Sequence, residues 1–206
     1  MTSTNPILRT AAGEREDQDR GAIITCESRQ VLIVADGAGG TSGGAEAAAT
    51  AIEFARRDAE RLTDSASCVS LLQKIDQAIA HDPNAGDTTC ALAVITDELV
   101  FGASVGDSGV WLIGESDFKN LTRHQSRKPL IGSGSALPIP FTQEKINHTL
   151  LLLATDGLLK YASSERIIAL CHDSQTESTA KRLIELVRYP SGALPDDVTI
   201  ILTILN

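Results

Sequence analysis

Aromatic side chains are scarce in this sequence. They make up 3% of its 206 residues, so a core has to be built from Leu, Ile, Val and Ala. Long apolar runs are missing too: the longest, VTIILTIL at 198–205, is strand-sized and far short of the roughly 20 residues that cross a membrane. The N-terminus, MTSTNPILRTAAGEREDQDR, has neither the charged start nor the apolar centre of a signal peptide, and the expectation is a cytoplasmic protein. Basic residues are outnumbered, with 18 Lys and Arg against 27 Asp and Glu, a net charge of −9. Such a surface repels nucleic acid and anionic membrane, which argues against both as partners, and it tolerates divalent cations. Cys26, Cys68, Cys90 and Cys171 form no C-x-x-C pair, and His81, His124, His148 and His172 are equally scattered. That spacing argues against zinc and disulfides. Three of the cysteines lie in apolar segments and read as reduced core thiols.

What is present is an ordinary globular composition, 42% hydrophobic and 22% charged, at a length that suits one domain over residues 1–206. The first 18 or so residues are polar and read as irregular. Strands are expected over Ala22–Cys26 and Val31–Ala35. The alanine-rich stretch 45–62 has helical spacing, with Ala45, Ala48, Ala49, Ile52, Ala55, Ala59 and Leu62 on one face, as in a core helix packed on a sheet. A second helix over 67–82 stops at Pro83. TTCALAVIT, ELVFGASVG, GVWLIG and DFKNLT follow at short intervals and predict an antiparallel meander. Residues 122–147 read as a long loop with a weak strand or two, TLLLLATDG as a buried strand, 163–173 and 177–189 as helices, and PDDVTIILTIL as a final strand. This order predicts an α+β fold, an α-β-β-α sandwich of packed, mainly antiparallel sheets with helices outside.

Carboxylates stand beside apolar strands four times: Asp36 after VLIVA, Asp107 after FGASVG, Asp156 after LLLLAT, and Asp196–Asp197 before VTIIL. Each alone is an ordinary turn residue. Four brought to one rim would place several negative charges in a partly desolvated place, at a cost of roughly several kcal/mol each without a partner. VADGAGG, SVGDSG and ATDG contain no Lys or Arg, so a hard cation is the expected partner. Mg²⁺ or Mn²⁺ takes oxygen ligands and keeps several waters, and the Gly37 carbonyl could be one further ligand.

DGAGG at 36–40, SVGDSG at 104–109, LLLATDGLLKY at 151–161 and PDDVTII at 195–201 resemble, in order, the motifs of the metal-dependent protein phosphatases of type 2C. EDQD at 16–19 is similar to the family's early acidic element and DTTCALAV at 87–94 to its G-T-T-A strand, so the resemblance spans nearly the whole chain. It implies that Asp36 bridges two metal ions, with the Gly37 carbonyl on one and Asp156 and Asp196 on the other. Asp19 would hold a metal-bound water, and Asp107 would help hold a third ion. Ions about 3.5–4 Å apart share a hydroxide and aim it at phosphorus. The implied activity is a Mg²⁺- or Mn²⁺-dependent hydrolysis of phosphoserine and phosphothreonine, with a phosphorylated protein as partner and a monomer as the expected state.

The sequence also departs from the family pattern. Glu14 occupies the position of the usual phosphate-gripping Arg, and Arg15, one place on, is the candidate for its task. Ala38 stands where some relatives have a His, and Gly109 where G-D-S-R has its Arg. A catalytically weak or silent phosphoprotein-binding module is the alternative these departures feed, and a hydrolase of small phosphate esters is a third reading. Arg123, Arg127 and Lys128 form a local positive patch that reads either as a solvated loop or as a substrate-docking surface.

Overall fold

The computed structural model describes residues 5–13, 17–38, 43–115, 117–172 and 176–206. In chain order the elements are β1 (Ile7–Ala11), β2 (Asp19–Thr25), β3 (Gln30–Asp36), α1 (Gly44–Asp58), α2 (Ser65–Ala80), β4 (Cys90–Ile95), β5 (Leu99–Val105), β6 (Gly109–Ile113) and β7 (Phe118–Asn120). They continue with β8 (Ile139–Glu144), β9 (Thr149–Ala154), α3 (Asp156–Leu159), α4 (Ser164–Cys171), α5 (Thr176–Val187) and β10 (Val198–Leu205). The strands form two five-stranded sheets, ordered β1-β10-β9-β6-β7 and β2-β3-β4-β5-β8. Every pairing within them is antiparallel.

The strands read as unbroken apolar runs because each sheet is covered on both faces. Val31, Ile33 and Ala35 of β3 join the buried residues of α1 and α2, while Leu32 and Val34, pointing the other way, pack between the sheets. In the second sheet, Leu150, Leu152 and Ala154 meet the buried face of α3 to α5, and Leu151 and Leu153 face the first sheet. The result is the expected α-β-β-α sandwich. The buried stripe of α1 runs through Ala47, Ala48, Ala51, Ile52 and Ala55, while Ala45 and Ala49 are half-buried. Small side chains there let the helix lie close to the sheet. Cys68, Cys90 and Cys171 are buried and free, and burial pushes the Cys68 and Cys171 thiols up to about 12.

Two features differ from the sequence reading. Residues read as irregular contain β1, which pairs with β10 from Ile7 opposite Leu202 to Ala11 opposite Val198. Its five residues are half-buried or exposed and carry no clear alternation. The expected meander is divided: β4 and β5 lie in one sheet, β6 and β7 in the other. The GDSG turn is therefore the crossing between sheets, opened by Gly106 at φ 88. β8 is a strand within the long loop, as expected there, and closes one sheet edge beside β5, where Pro140 is tolerated because an edge strand needs fewer donors.

Candidate metal centre

Antiparallel pairing decides which strand ends share an edge. Asp19 opens β2 and Asp36 closes β3, and the register sets them directly opposite each other. Asp156 follows the end of β9, and Asp196 and Asp197 precede β10, its antiparallel neighbour. Asp107 lies on the crossing from β5 to β6, at the end where Gly109 pairs with Ala154. The two sheets thus deliver all the predicted aspartates to one rim.

Burial, followed by the charges of Asp19, Asp156, Asp196 and Asp107, pushes the Asp36 carboxyl from 3.8 up to about 9. Asp19 rises to about 7, chiefly through burial, against a hydrogen bond from the Thr155 hydroxyl that lowers it. Burial and Asp107 raise Asp156, opposed by Lys160. Asp19 Oδ1 is buried and accepts no hydrogen bond. Among the described residues no three acidic, histidine or cysteine side chains close into a finished coordination shell. An orphaned buried oxygen and several acidic groups of raised pKa form a donor set that fits hard divalent cations.

The backbone around Asp36 is tightly fixed. Thr89 N–H donates to the Asp36 carbonyl at 2.8 Å, the Thr88 hydroxyl donates to the same oxygen at 2.9 Å, and Asp36 N–H donates to Thr89 Oγ1 at 3.1 Å. Thr89 Oγ1 also lies 2.7 Å from Ser108 Oγ, which ties the sheet crossing to the same point. Gly37 lies under the start of α1: a Cβ added there would sit 2.4 Å from the Gly44 backbone, so no other residue fits without movement. Within DTTCALAV nothing local marks either threonine for this task; it depends on the pairing of Gly37 with Thr88.

The adjacent carboxylates of Asp196 and Asp197 have different surroundings. Asp197 accepts the Gly13 N–H on Oδ1 and the Gln18 N–H on Oδ2, each at 2.7 Å, whereas Asp196 is exposed. Arg15, the candidate phosphate-gripping residue, lies outside the described residues, and so does Glu14.

The expectation that basic residues leave the cluster alone is corrected on one side. Arg127 Nε lies 2.6 Å from Asp107 Oδ2, its guanidinium reaches within 4.0 Å of Asp156 Oδ2, and Lys160 Nζ is 3.6 Å from that oxygen. Arg127 arrives from the loop between β7 and β8, remote in sequence from the acidic motifs, whereas Lys160 stands one helical turn after Asp156, within LLLATDGLLKY. Together with Asp107, Asp156 and Leu159 they line a pocket of about 280 Å³. Arg123 instead directs its Nε to His124, at 2.9 Å.

The rim of strand-end aspartates lies on two packed antiparallel sheets flanked by helices. The chain matches the model of the protein phosphatase 2C family over residues 11–188 and belongs to that family of hydrolases. A bacterial serine phosphatase carrying an arginine-to-alanine substitution superposes with a TM-score of 0.87 at 21% identity, covering 100% of this chain and 100% of that one. The catalytic domain of the serine/threonine protein phosphatase PstP, in complex with two manganese ions, gives 0.84 at 20% identity, over 100% and 99% of the two chains. A serine/threonine phosphatase from Staphylococcus aureus gives 0.81 at 20% identity, over 100% and 96%. At such identities the likeness is one of fold. Comparison with curated proteins gives no match. Among the described residues, no helix is long and apolar enough to cross a membrane.

Proposed function

We propose that the chain is a Mg²⁺- or Mn²⁺-dependent phosphatase of phosphoserine and phosphothreonine in proteins, working in the cytoplasm as a monomer, with residues 1–206 as one catalytic domain. The observation that carries this reading is the state of Asp36 and Asp19. They face each other at a sheet end, burial and neighbouring carboxylates raise both, and Asp19 Oδ1 has no hydrogen-bond partner. The bound manganese of the PstP structure, on the same fold, points the same way. Asp36, the Gly37 carbonyl, Asp156 and Asp196 would hold two ions, Asp19 would hold an attached water, and Asp107 would serve a third ion. Bound divalent ions supply Lewis acidity and a nucleophile derived from water near neutral pH.

The protein's own groups do the positioning. The Thr155 hydroxyl donates to Asp19 Oδ2 and sets that carboxylate's orientation. Thr88 and Thr89 fix the Asp36 backbone. The Asp197 carboxylate holds Gly13 and Gln18, the two residues that flank the segment carrying Arg15. Within this reading Arg15 has the task of gripping phosphate.

The test is phosphate release from a phosphothreonine peptide with Mn²⁺, with Mg²⁺ and with chelator, for the native protein and Asp36→Asn. Metal-dependent turnover that Asp36→Asn abolishes supports the reading. Metal binding without turnover would instead favour the silent phosphoprotein-binding module.

A further inference from the structure

We propose that Arg127 binds the phosphoryl group of the phosphopeptide, and that its contact with Asp107 is the resting position of a side chain that changes partner when substrate arrives. This rests on the phosphatase reading and adds to it a phosphate-binding residue outside the early motif. Three observations lead there.

The first is reach. Arg127 extends to both Asp107 and Asp156, and it lines the pocket beside them with Lys160 and Leu159. The second is a fixed base under a free head. On one side of Arg127, Gln125 N–H donates to the Thr122 carbonyl and the Ser104 hydroxyl donates to the Gln125 side chain. On the other side, Ile131 exchanges two backbone hydrogen bonds with Thr88, and Asp76 accepts the N–H groups of Gly132, Gly134 and Ala136. The loop is therefore held at both ends, yet the Arg127 side chain is 68% exposed.

The third is charge. An ion pair this exposed contributes little to stability, so the cost of breaking it is small. Divalent ions on Asp107 and Asp156 would neutralise those carboxylates and leave the guanidinium without its anion. A phosphoryl group then offers two oxygens at the spacing of the guanidinium fork, a better match than one carboxylate oxygen. Lys160 is the lesser candidate, because its single ammonium has no fork to match two phosphoryl oxygens and lies 4.9 Å from the Tyr161 ring centre. Arg127 takes no proton and forms no bond to phosphorus here; its task is binding.

The experiment uses the full chain with Mn²⁺ and compares the native protein with Arg127→Ala, Arg127→Lys and, as a neighbouring control, Arg123→Ala. Inorganic phosphate binding is read by calorimetry, and phosphothreonine-peptide hydrolysis by steady-state kinetics. Arg127→Ala should weaken phosphate binding about 10- to 100-fold and raise KM by a similar factor, with kcat changed by no more than about threefold. Arg127→Lys should recover part of the loss, and Arg123→Ala should behave as native. Phosphate affinity within about twofold of native in Arg127→Ala overturns the proposal, even if Mn²⁺ binds that variant more tightly. So does a native protein that binds Mn²⁺ but no phosphate. A native protein that binds Mn²⁺ and phosphate yet releases none from peptide sinks the phosphatase reading instead, while the binding comparison still decides Arg127.

Discussion

The Thr155 hydroxyl donates to Asp19 Oδ2 at 2.7 Å, joining the end of β9 in one sheet to the start of β2 in the other. Thr155 Oγ1 in turn accepts the Thr199 N–H at 2.9 Å, and Thr155 is fully buried. One hydroxyl therefore sets the angle of a site carboxylate and satisfies a backbone donor. Thr155→Val keeps the shape and removes both bonds, leaving buried polar groups without partners. Stability should fall by about 1–3 kcal/mol, or roughly 2–4 °C in Tm per kcal/mol for a chain of this size. Mn²⁺ affinity should fall as well, because the lost hydroxyl is the foremost of the hydrogen bonds that lower the Asp19 pKa, ahead of Thr199. Thr155→Ser should stay near native. Calorimetric melting and Mn²⁺ titration check this, and an unchanged Thr155→Val would show that the seam bond is idle.

Asp36 and Asp19 make the metal-free protein sensitive to alkali. Both are raised from 3.8, to about 9 and about 7. A carboxyl that holds its proton more tightly when folded favours folding at low pH. That advantage is lost as pH climbs from the unfolded value through the folded ones, because the native state must then carry charges it cannot place. The melting temperature in chelator should accordingly drop between about pH 4 and pH 9, and Mn²⁺ should restore most at the alkaline end. Asp36→Asn, which removes the most strongly raised group, should flatten the slope and raise the metal-free Tm at pH 8. A flat profile in chelator would mean that the carboxylates are solvated and not in conflict.

The strand-end positions of Asp36, Asp107 and Asp156 were legible in the sequence for a physical reason, whereas Asp19, which opens β2, entered only through the resemblance of EDQD. A charge at the end of a run such as VLIVA or LLLLA stands at the edge of a buried strand, and the ordered repetition puts several such edges together. The sandwich was legible from the order of elements, strands and a helix pair followed by a strand-rich stretch, two helices and a last strand, which layers helices outside packed sheets. What stayed hidden depends on partners remote in sequence. Thr155 looks like any turn threonine until β9 and β2 meet. Arg127 sits in a polar loop whose path nothing local dictates. β1 shows no pattern because it is a half-buried strand at a sheet edge, recognisable only by its partner β10. The division of β4 to β7 between two sheets hinges on a crossing at GDSG that has the composition of a hairpin turn.

Asp196 and Asp197 are adjacent, the resemblance singles out Asp196 for metal, and the structure gives the two distinguishable surroundings. Asp197 holds two backbone amides that flank residues 14–16, while Asp196 is exposed and adds its charge to Asp36 and Asp156. Asp197→Ala should cost about 1–3 kcal/mol, through two donors that lose a charged acceptor. Asp196→Ala should leave Tm in chelator unchanged or slightly higher and weaken Mn²⁺ binding instead. Urea denaturation with and without Mn²⁺ separates the two, and equal effects from both variants would contradict the assignment.

Asp76 lies on α2, away from the rim aspartates, yet its removal should be felt at the site. Its carboxylate is 2% exposed and accepts Gly132 N–H at 2.8 Å and Gly134 N–H at 3.0 Å on Oδ1, and Ala136 N–H at 3.1 Å on Oδ2. Those residues continue the loop from Ile131, which pairs with Thr88, whose hydroxyl donates to the Asp36 carbonyl. Asp76→Ala orphans three amides at once and should cost about 2–4 kcal/mol. Asp76→Asn keeps an oxygen for the two glycines but turns an amide donor toward Ala136 N–H, so its cost should fall between alanine and native. If the loop transmits this to the site, both variants should also weaken phosphate binding in Mn²⁺, in the same order, at temperatures where they remain fully folded. A stability loss with phosphate and Mn²⁺ affinities unchanged would confine Asp76 to holding the loop and separate it from the centre.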